Sequence, residues 1–400
     1  MQLQPRPKQI LLAVVMLLLF LGLVIAFQIT FTSQVPGAND FYPRWRGAQL
    51  FWQSGIDPYS EEATAAIQRD IYGRLAQPDE DQVLFVYPFY TVFILWPLIW
   101  LPYVWVQAIW LVVLLFALVG GVISWLRLLE WRPPLWLLAI TLLWAVLYYS
   151  STRTIILGQF AGLVFLGLVG CLLALKQKQD GVAGLLLALT TLKPQMVFLV
   201  IPALLIWGMG QRRTRFLIGF LASLAVLMGV SFVLLPTWLS SFINQILAYP
   251  TYTVLGNPLQ IITTLYLPFL DPIADYMLRG ILLIFLLWNW YKLPTAVLLG
   301  DTFLFIISLT LVVSNLIAPQ TATTNYVVLY LPLLWLLKTA VVYRPTHLTN
   351  LLIAAFYLFS IVVVWFLFLQ TVSGNAENSV MFIPLPLSLL LILLLLHRET

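Results

Sequence analysis

An all-α protein that crosses a membrane many times is the fold class this sequence predicts, on two observations. Hydrophobic residues make up 62% of the 400 and charged residues only 9%, where a soluble domain sits nearer half and a quarter. The apolar runs are mostly about 17 to 25 residues long, the length a helix needs to cross a bilayer, whereas barrel strands are shorter and alternate. A soluble globular chain and a β-barrel are both excluded.

The formal charge of +5 would suggest an acidic partner in a soluble protein. Here the basic residues read as topology signals, and no basic tract resembles a nucleic-acid site. Cys171 stands alone in an apolar run, so no intrachain disulfide or thiolate cluster is expected. His347 and His397 fall in predicted loop or tail positions without a helical ligand partner, and neither a metal nor a cofactor is expected.

Arg6 and Lys8 precede the first apolar run, residues 10–27, and place the N-terminus in the cytoplasm. The run is long for a signal peptide and no A-x-A site follows, so a retained helix is predicted. Residues 28–82 are then external and hold eight of the fifteen acidic residues. Residues 85–101 are apolar but broken by Pro88 and Pro97. A crossing there would put Arg127 and Arg132 outside, so this segment is expected in the outer interface or as a re-entrant piece. The external stretch is thus residues 28–103. From residue 104 basic residues mark every second boundary, giving about twelve crossings with both ends cytoplasmic. No linker or evident repeat divides the chain, and residues 1–400 are read as one membrane domain.

Residues 35–60, VPGANDFYPRWRGAQLFWQSGIDPYS, open the one long polar segment. Asp40 stands directly before an amphipathic helix in which Phe41, Trp45, Ala48 and Trp52 share one face and Arg44 lies elsewhere. Such a helix is expected to lie along the membrane surface. Gly55 and Pro58 stop it. Ser60 then caps a second helix with Glu61 and Glu62 in its first turn and Gly73 at its end.

Four pieces on the external side carry candidate chemistry: Asp40 with Arg44 and Arg46, Arg153 with Gly158-Gln159, Lys193-Pro194, and Gln320 with Asn325. An ionisable residue within an apolar span costs about 2.5 to 3.5 kcal/mol on insertion scales, so Lys193 between two short runs calls for a reason. An exposed hairpin tip is one; an anion held at the outer mouth of the bundle is the other. Asp40 has a structural reading too, as cap of the helix beginning at Phe41 and as i,i+4 partner of Arg44, a pair worth about 0.2 to 0.5 kcal/mol. Arg153 reads as a loop cation or an anion ligand, and Arg279 as a residue that snorkels to the surface. Asp79-Glu80-Asp81 has the letters of a metal-binding D-x-D, yet beside Pro78 it reads as a solvated charge run.

Taken in order, these pieces resemble glycosyltransferase family 87. The resemblance is carried by D-F-Y at 40–42 with its amphipathic helix, G-x-D-P-Y at 55–59, Y-P-F at 87–89, L-P at 101–102, G-Q at 158–159, and A-G-L-L-L-A-L running to Lys193-Pro194. Weaker matches follow at Gly256-Asn257 and at Ala318-Pro319-Gln320. Membership implies a GT-C-like bundle and an inverting transferase that takes a hexose, mannose above all, from a polyprenyl-phosphate donor to a lipid or glycan acceptor. It implies an acidic general base in the first external loop, and Asp40 is the matching position. Relatives tend to have Tyr-Pro-Pro where this chain has Tyr87-Pro88-Phe89, and histidine near the position of Asn325.

The chemistry fits the residues independently. Transfer from a lipid phosphate needs a base within reach of the acceptor hydroxyl and cations for the departing phosphate. Asp40 supplies the first, and Arg44, Arg153, Gln159 and Lys193 are the candidates for the second. Tyr42, Asn257, Gln320 and Asn325 are candidate contacts to sugar or acceptor; Tyr42 and Trp45 could stack on sugar rings, with anchoring at the interface the favoured use of both. The expected setting is the inner membrane of a bacterial-type cell, with the site outside. The alternative from another class is a transporter or flippase of lipid-linked sugars, although transporters gather polar residues at the midplane.

Overall fold

A computed structural model of the chain describes residues 7–35, 40–248, 257–318, 321–373 and 377–397. Every regular element among them is a helix. Seven are long and apolar enough to cross a membrane: Ile10–Thr32, Tyr103–Leu128, Thr214–Leu234, Ile273–Thr295, Thr323–Tyr343, His347–Thr371 and Ser379–His397. An eighth arises if Leu135–Leu147 and Tyr149–Ile156, bent by 53°, count as one span. A total of twelve also needs the shorter apolar helices Ala161–Lys176, Asp180–Leu192, Val200–Gly210 and Asp301–Ile317. At 1.5 Å per residue the longest of these covers about 25 Å, short of a hydrocarbon core of about 30 Å. Length alone assigns them no crossing.

Burial separates inner helices from outer ones. Tyr103–Leu128 is 61% buried along its most apolar window, whereas Ile10–Thr32 is 6% and Thr214–Leu234 11%. Helices that are apolar all round and bare on most sides require an apolar solvent, which makes this a multi-pass membrane protein. The inner helices are tied by buried polar links such as the Trp125 indole donating to the Leu331 carbonyl at 3.0 Å.

Asp180–Leu189 and Thr214–Leu234 approach backbone to backbone. A methyl added at Gly184 would overlap the Phe220 amide and the Phe216 carbonyl, and one at Gly219 would meet the Gly181 carbonyl. Small residues permit such contact where lipid supplies no hydrophobic drive between helices. Gly184→Ala is expected to cost about 1 to 3 kcal/mol through overpacking, visible as an earlier thermal transition of the detergent-solubilised protein.

The first long loop carries the helices Tyr42–Ser54 and Glu61–Tyr72. Ser60 Oγ accepts from the Ala63 amide at 3.1 Å, and Gly55 and Gly73 close the two helices in the left-handed region, both at φ +70°. Residues 85–101 contain only the five-residue helix Thr91–Leu95 and one 3-10 turn, Trp96–Leu98, too short to cross.

Several expectations change here. The apolar face of Tyr42–Ser54 is covered by protein, with Phe41, Trp45 and Ala48 all buried. Phe41 stacks on Trp110 with ring centroids 4.4 Å apart, and the Trp45 indole donates to the Leu98 carbonyl. Periodicity announces a covered face without saying whether lipid or protein covers it. Arg44, placed off that face, is buried as well. Phe41 occupies the N-cap position with no side-chain cap, so Asp40 does not cap this helix. Arg279 does not snorkel: it pairs with Asp275 at 2.8 Å and donates to the Ile317 carbonyl. His347 opens the helix His347–Thr371, and His397 ends Pro384–His397 against the Phe305 ring.

Candidate active site

Aromatic packing of the loop onto the bundle brings Asp40 to its neighbours. Phe41 enters a nest of Tyr103, Trp110 and Phe160, and Phe160 follows Gln159 in the chain. The Trp110 indole holds the Gly158 carbonyl at 2.8 Å. Gly158 itself, at φ +70°, ends the Tyr149–Ile156 helix in the conformation that glycine tolerates best, and turns the chain so that Gln159 faces the loop.

The Gln159 amide is the hub. Its Nε2 donates to Asp40 Oδ2, while its Oε1 accepts from Lys193 Nζ at 2.6 Å and from the Tyr87 hydroxyl at 3.1 Å. These contacts fix which way the amide faces, since only the nitrogen can donate to a carboxylate and only the oxygen can take an ammonium. Tyr87 is held by its backbone: its carbonyl accepts from Tyr59 Oη at 2.6 Å. The neighbouring Val86 amide donates to Gln245, which in turn donates to the Tyr59 carbonyl. The Arg44 guanidinium lies 4.9 Å above the Tyr87 ring, a cation–π contact.

Lys193 is only 4% exposed, which rules out the exposed hairpin tip. It sits between two 3-10 turns, Thr190–Leu192 and Pro194–Met196. Tyr90 Oη steadies the first of them through Thr191 Oγ1 at 2.8 Å. Burial pushes the ammonium below the usual lysine range; Asp40 acts against that shift and Arg44 adds to it. Asp40, Arg44 and Lys193 therefore share one electrostatic neighbourhood.

Asp81 belongs to the edge of the same neighbourhood. Its carboxyl is raised by the protein crowded round it, lowered by a bond from the Val83 amide and by Arg44, and raised again by Asp40. The rest of the D-E-D run is the surface charge the sequence suggests: Asp79 is exposed, and Glu80 pairs with Arg74 at 2.7 Å. Among the described residues no three His, Cys, Asp or Glu side chains gather as a metal site would need.

The remaining candidates fall elsewhere. Arg153 lies with Glu377: its guanidinium is 5.8 Å from the Phe368 ring, and burial raises the Glu377 carboxyl while Thr323, Arg153 and Tyr149 draw it down. Asn325 is buried nearby in the 3-10 helix Thr323–Leu329, where Nδ2 donates to Thr321 Oγ1 at 3.1 Å and Oδ1 has no partner among the described residues. Thr154 Oγ1 donates to the Thr324 carbonyl, so this second polar group adjoins the helix that leads to Gln159. Tyr42 donates to Asp70 at 3.0 Å, alongside the Arg46–Asp70 ion pair. Asn257 caps Pro258–Tyr266 through the Gln260 amide at 3.3 Å. Gln320 lies outside the described residues. Two members of this region escaped sequence reasoning as site residues: Tyr87, visible only as part of Y-P-F, and Glu377, which carries no motif.

A multi-pass helical membrane protein with a carboxylate, an amide and buried cations in one cluster is the class defined so far. The family model for glycosyltransferase family 87 matches residues 85–319, more than half of the chain, and the protein belongs to that family. The matched stretch includes Tyr87, Gln159 and Lys193, and Asp40 precedes it. Comparison with curated proteins and with solved structures gave no match.

Proposed function

We propose that this glycosyltransferase moves a hexose, with mannose the first candidate, from a polyprenyl-phosphate donor to a lipid or glycan acceptor, with inversion, at the outer face of the inner membrane. The observation that carries the reading is the Gln159 bridge, which holds the Asp40 carboxylate beside the buried Lys193 ammonium. Inverting transfer from a lipid phosphate asks for that pairing of groups. Asp40 takes the acceptor's proton: Gln159 engages its Oδ2 and leaves Oδ1 for the hydroxyl. Lys193 and Arg44 stabilise the departing phosphate. Arg153, in the electrostatic field of Glu377, serves the second polar group together with Asn325, which suits hydroxyl recognition. The glycosidic bond to phosphate breaks as the acceptor oxygen bonds to the anomeric carbon, so one carboxylate suffices and no metal is called for.

Purified protein incubated with a panel of polyprenyl-phosphate sugars tests this directly. Release of polyprenyl phosphate with one sugar is the expected result; turnover with nucleotide sugars alone would reject the lipid donor. GT-C-like topology, with twelve passes in one domain and both ends inside, is part of the same proposal. In a Cys171→Ser background, a cysteine replacing the exposed Arg74 should react with an impermeant thiol reagent added outside intact cells. A cysteine at Arg212 should react only after the cells are opened, and the reverse pattern would invert the orientation.

A further inference from the structure

Toward the far end of the bundle from Asp40 lies a second polar cavity. Asp301–Ile317 is 17 residues long, so its two ends are about 25 Å apart. Its C-terminal end leads within a few residues to Thr321 and Asn325 of the second polar group, and its last carbonyl accepts from Arg279. Around its N-terminal end is a cavity of about 430 Å³, lined among others by Asn289, Lys292, Asp301, Trp335, Lys338 and His397.

Three features of the cavity point to a ligand. Neither Lys292 nor Lys338 has a carboxylate within ion-pair distance among the described residues, so Asp301 offsets only part of their charge. Trp335, 5% exposed, has its indole N–H buried with no partner among the described residues, a donor that costs free energy until something accepts from it. Asn289 is buried too, with Nδ2 bonded to the Phe285 carbonyl. A buried indole donor and two lysines among the residues lining one cavity fit a phosphate.

The surroundings select the source of that phosphate. This end of the bundle also carries the Lys176–Glu130 pair, in the field of Lys338, and Gln211, which bonds the Pro294 carbonyl beside Lys292. It is the end where basic residues concentrate, as they do at the leaflet rich in anionic lipid. Val342 and Tyr343, both lining the cavity, are 62% and 79% exposed. Apolar surface opening directly from a cationic recess fits acyl chains attached to an anionic head.

We propose that this cavity binds the phosphate headgroup of an anionic membrane lipid, separately from the glycosyl-transfer site. Lys292 and Lys338 hold the phosphate and the Trp335 N–H donates to it. The chains lie along Val342 and Tyr343.

Native mass spectrometry of the delipidated full-length protein with phosphatidylglycerol or phosphatidylcholine tests the site. Phosphatidylglycerol should be retained about tenfold more tightly. The double variant Lys292→Gln/Lys338→Gln should lose that preference, while Arg212→Gln/Arg215→Gln, changed at the same end but outside the cavity, should keep it. Preference surviving in the lysine variant, or lost equally in the arginine variant, would overturn the assignment in favour of a diffuse charge effect. Glycerol 3-phosphate displacing the lipid at matched concentration would overturn the lipid as ligand and leave a soluble anion. Should the lysine variant not fold, Trp335→Phe keeps the ring and removes only the N–H, and unchanged retention there would likewise reject the site.

Discussion

Asp40→Asn will lower sugar transfer by about 10² to 10⁴-fold while the protein stays folded and still binds donor, if Asp40 is the general base. The structure makes this a clean substitution. Asparagine keeps the shape of the side chain, and its carbonyl can accept from Gln159 Nε2 as the carboxylate does. Phe41, not Asp40, stands at the N-cap of the Tyr42–Ser54 helix, and the loop is anchored by Phe41 in its aromatic nest rather than by any bond from Asp40 to the helix. The expected loss is therefore chemical, read as a fall in kcat with an unchanged thermal transition. A folded variant that transfers sugar within a few-fold of the parent would remove Asp40 from catalysis. The base would then be sought first at Asp81, which feels both Arg44 and Asp40, and next at Asp57, Glu61 and Glu62.

Much of the architecture was legible because lipid leaves so few options. Once a run is about 20 residues long and apolar it has to be a helix, since no water is present to satisfy an open backbone. The caps were legible for a similar local reason: Ser60, Gly55 and Gly73 act within a few residues of themselves. Where the reading went astray, the missing information was tertiary. The stripe of Phe41, Trp45 and Ala48 was visible, but its cover is the Tyr103–Leu128 helix and residues 85–101, and nothing in periodicity names a partner.

The candidate site divides along the same line. Asp40, Gln159 and Lys193 could each be singled out as polar residues beside apolar runs, yet their meeting at one amide is a product of the fold. Tyr87 was noticed as a motif letter, and its hydroxyl turns out to complete the Gln159 oxygen's shell. Arg153 and Lys193 look alike in the sequence, both cations near an external edge. Only packing distinguishes them, by placing Glu377 beside one and Asp40 and Gln159 beside the other.

That distinction yields the second large effect. Lys193→Ala should raise the donor KM about 10- to 150-fold, the equivalent of losing one charge-assisted hydrogen bond of roughly 1.5 to 3 kcal/mol. Arg153→Ala should leave donor KM within a few-fold and act on stability, because it strips a cation from the half-buried Glu377. A structural role for Lys193 predicts something else: loss of its bond to Gln159 would lower the thermal transition with donor KM intact. Titration separates the two readings further. Burial holds the Lys193 ammonium below the ordinary lysine range, so the charge that attracts phosphate is present at lower pH and is lost as pH rises through that depressed value. Donor KM should climb with pH in the parent at values where an ordinary lysine, with a pKa of about 10.4, would still be charged. In Lys193→Arg, whose guanidinium does not titrate in this range, the climb should disappear. A parent enzyme whose donor KM is flat with pH, together with an unchanged KM in Lys193→Ala, would take Lys193 out of phosphate binding and leave that task to Arg44.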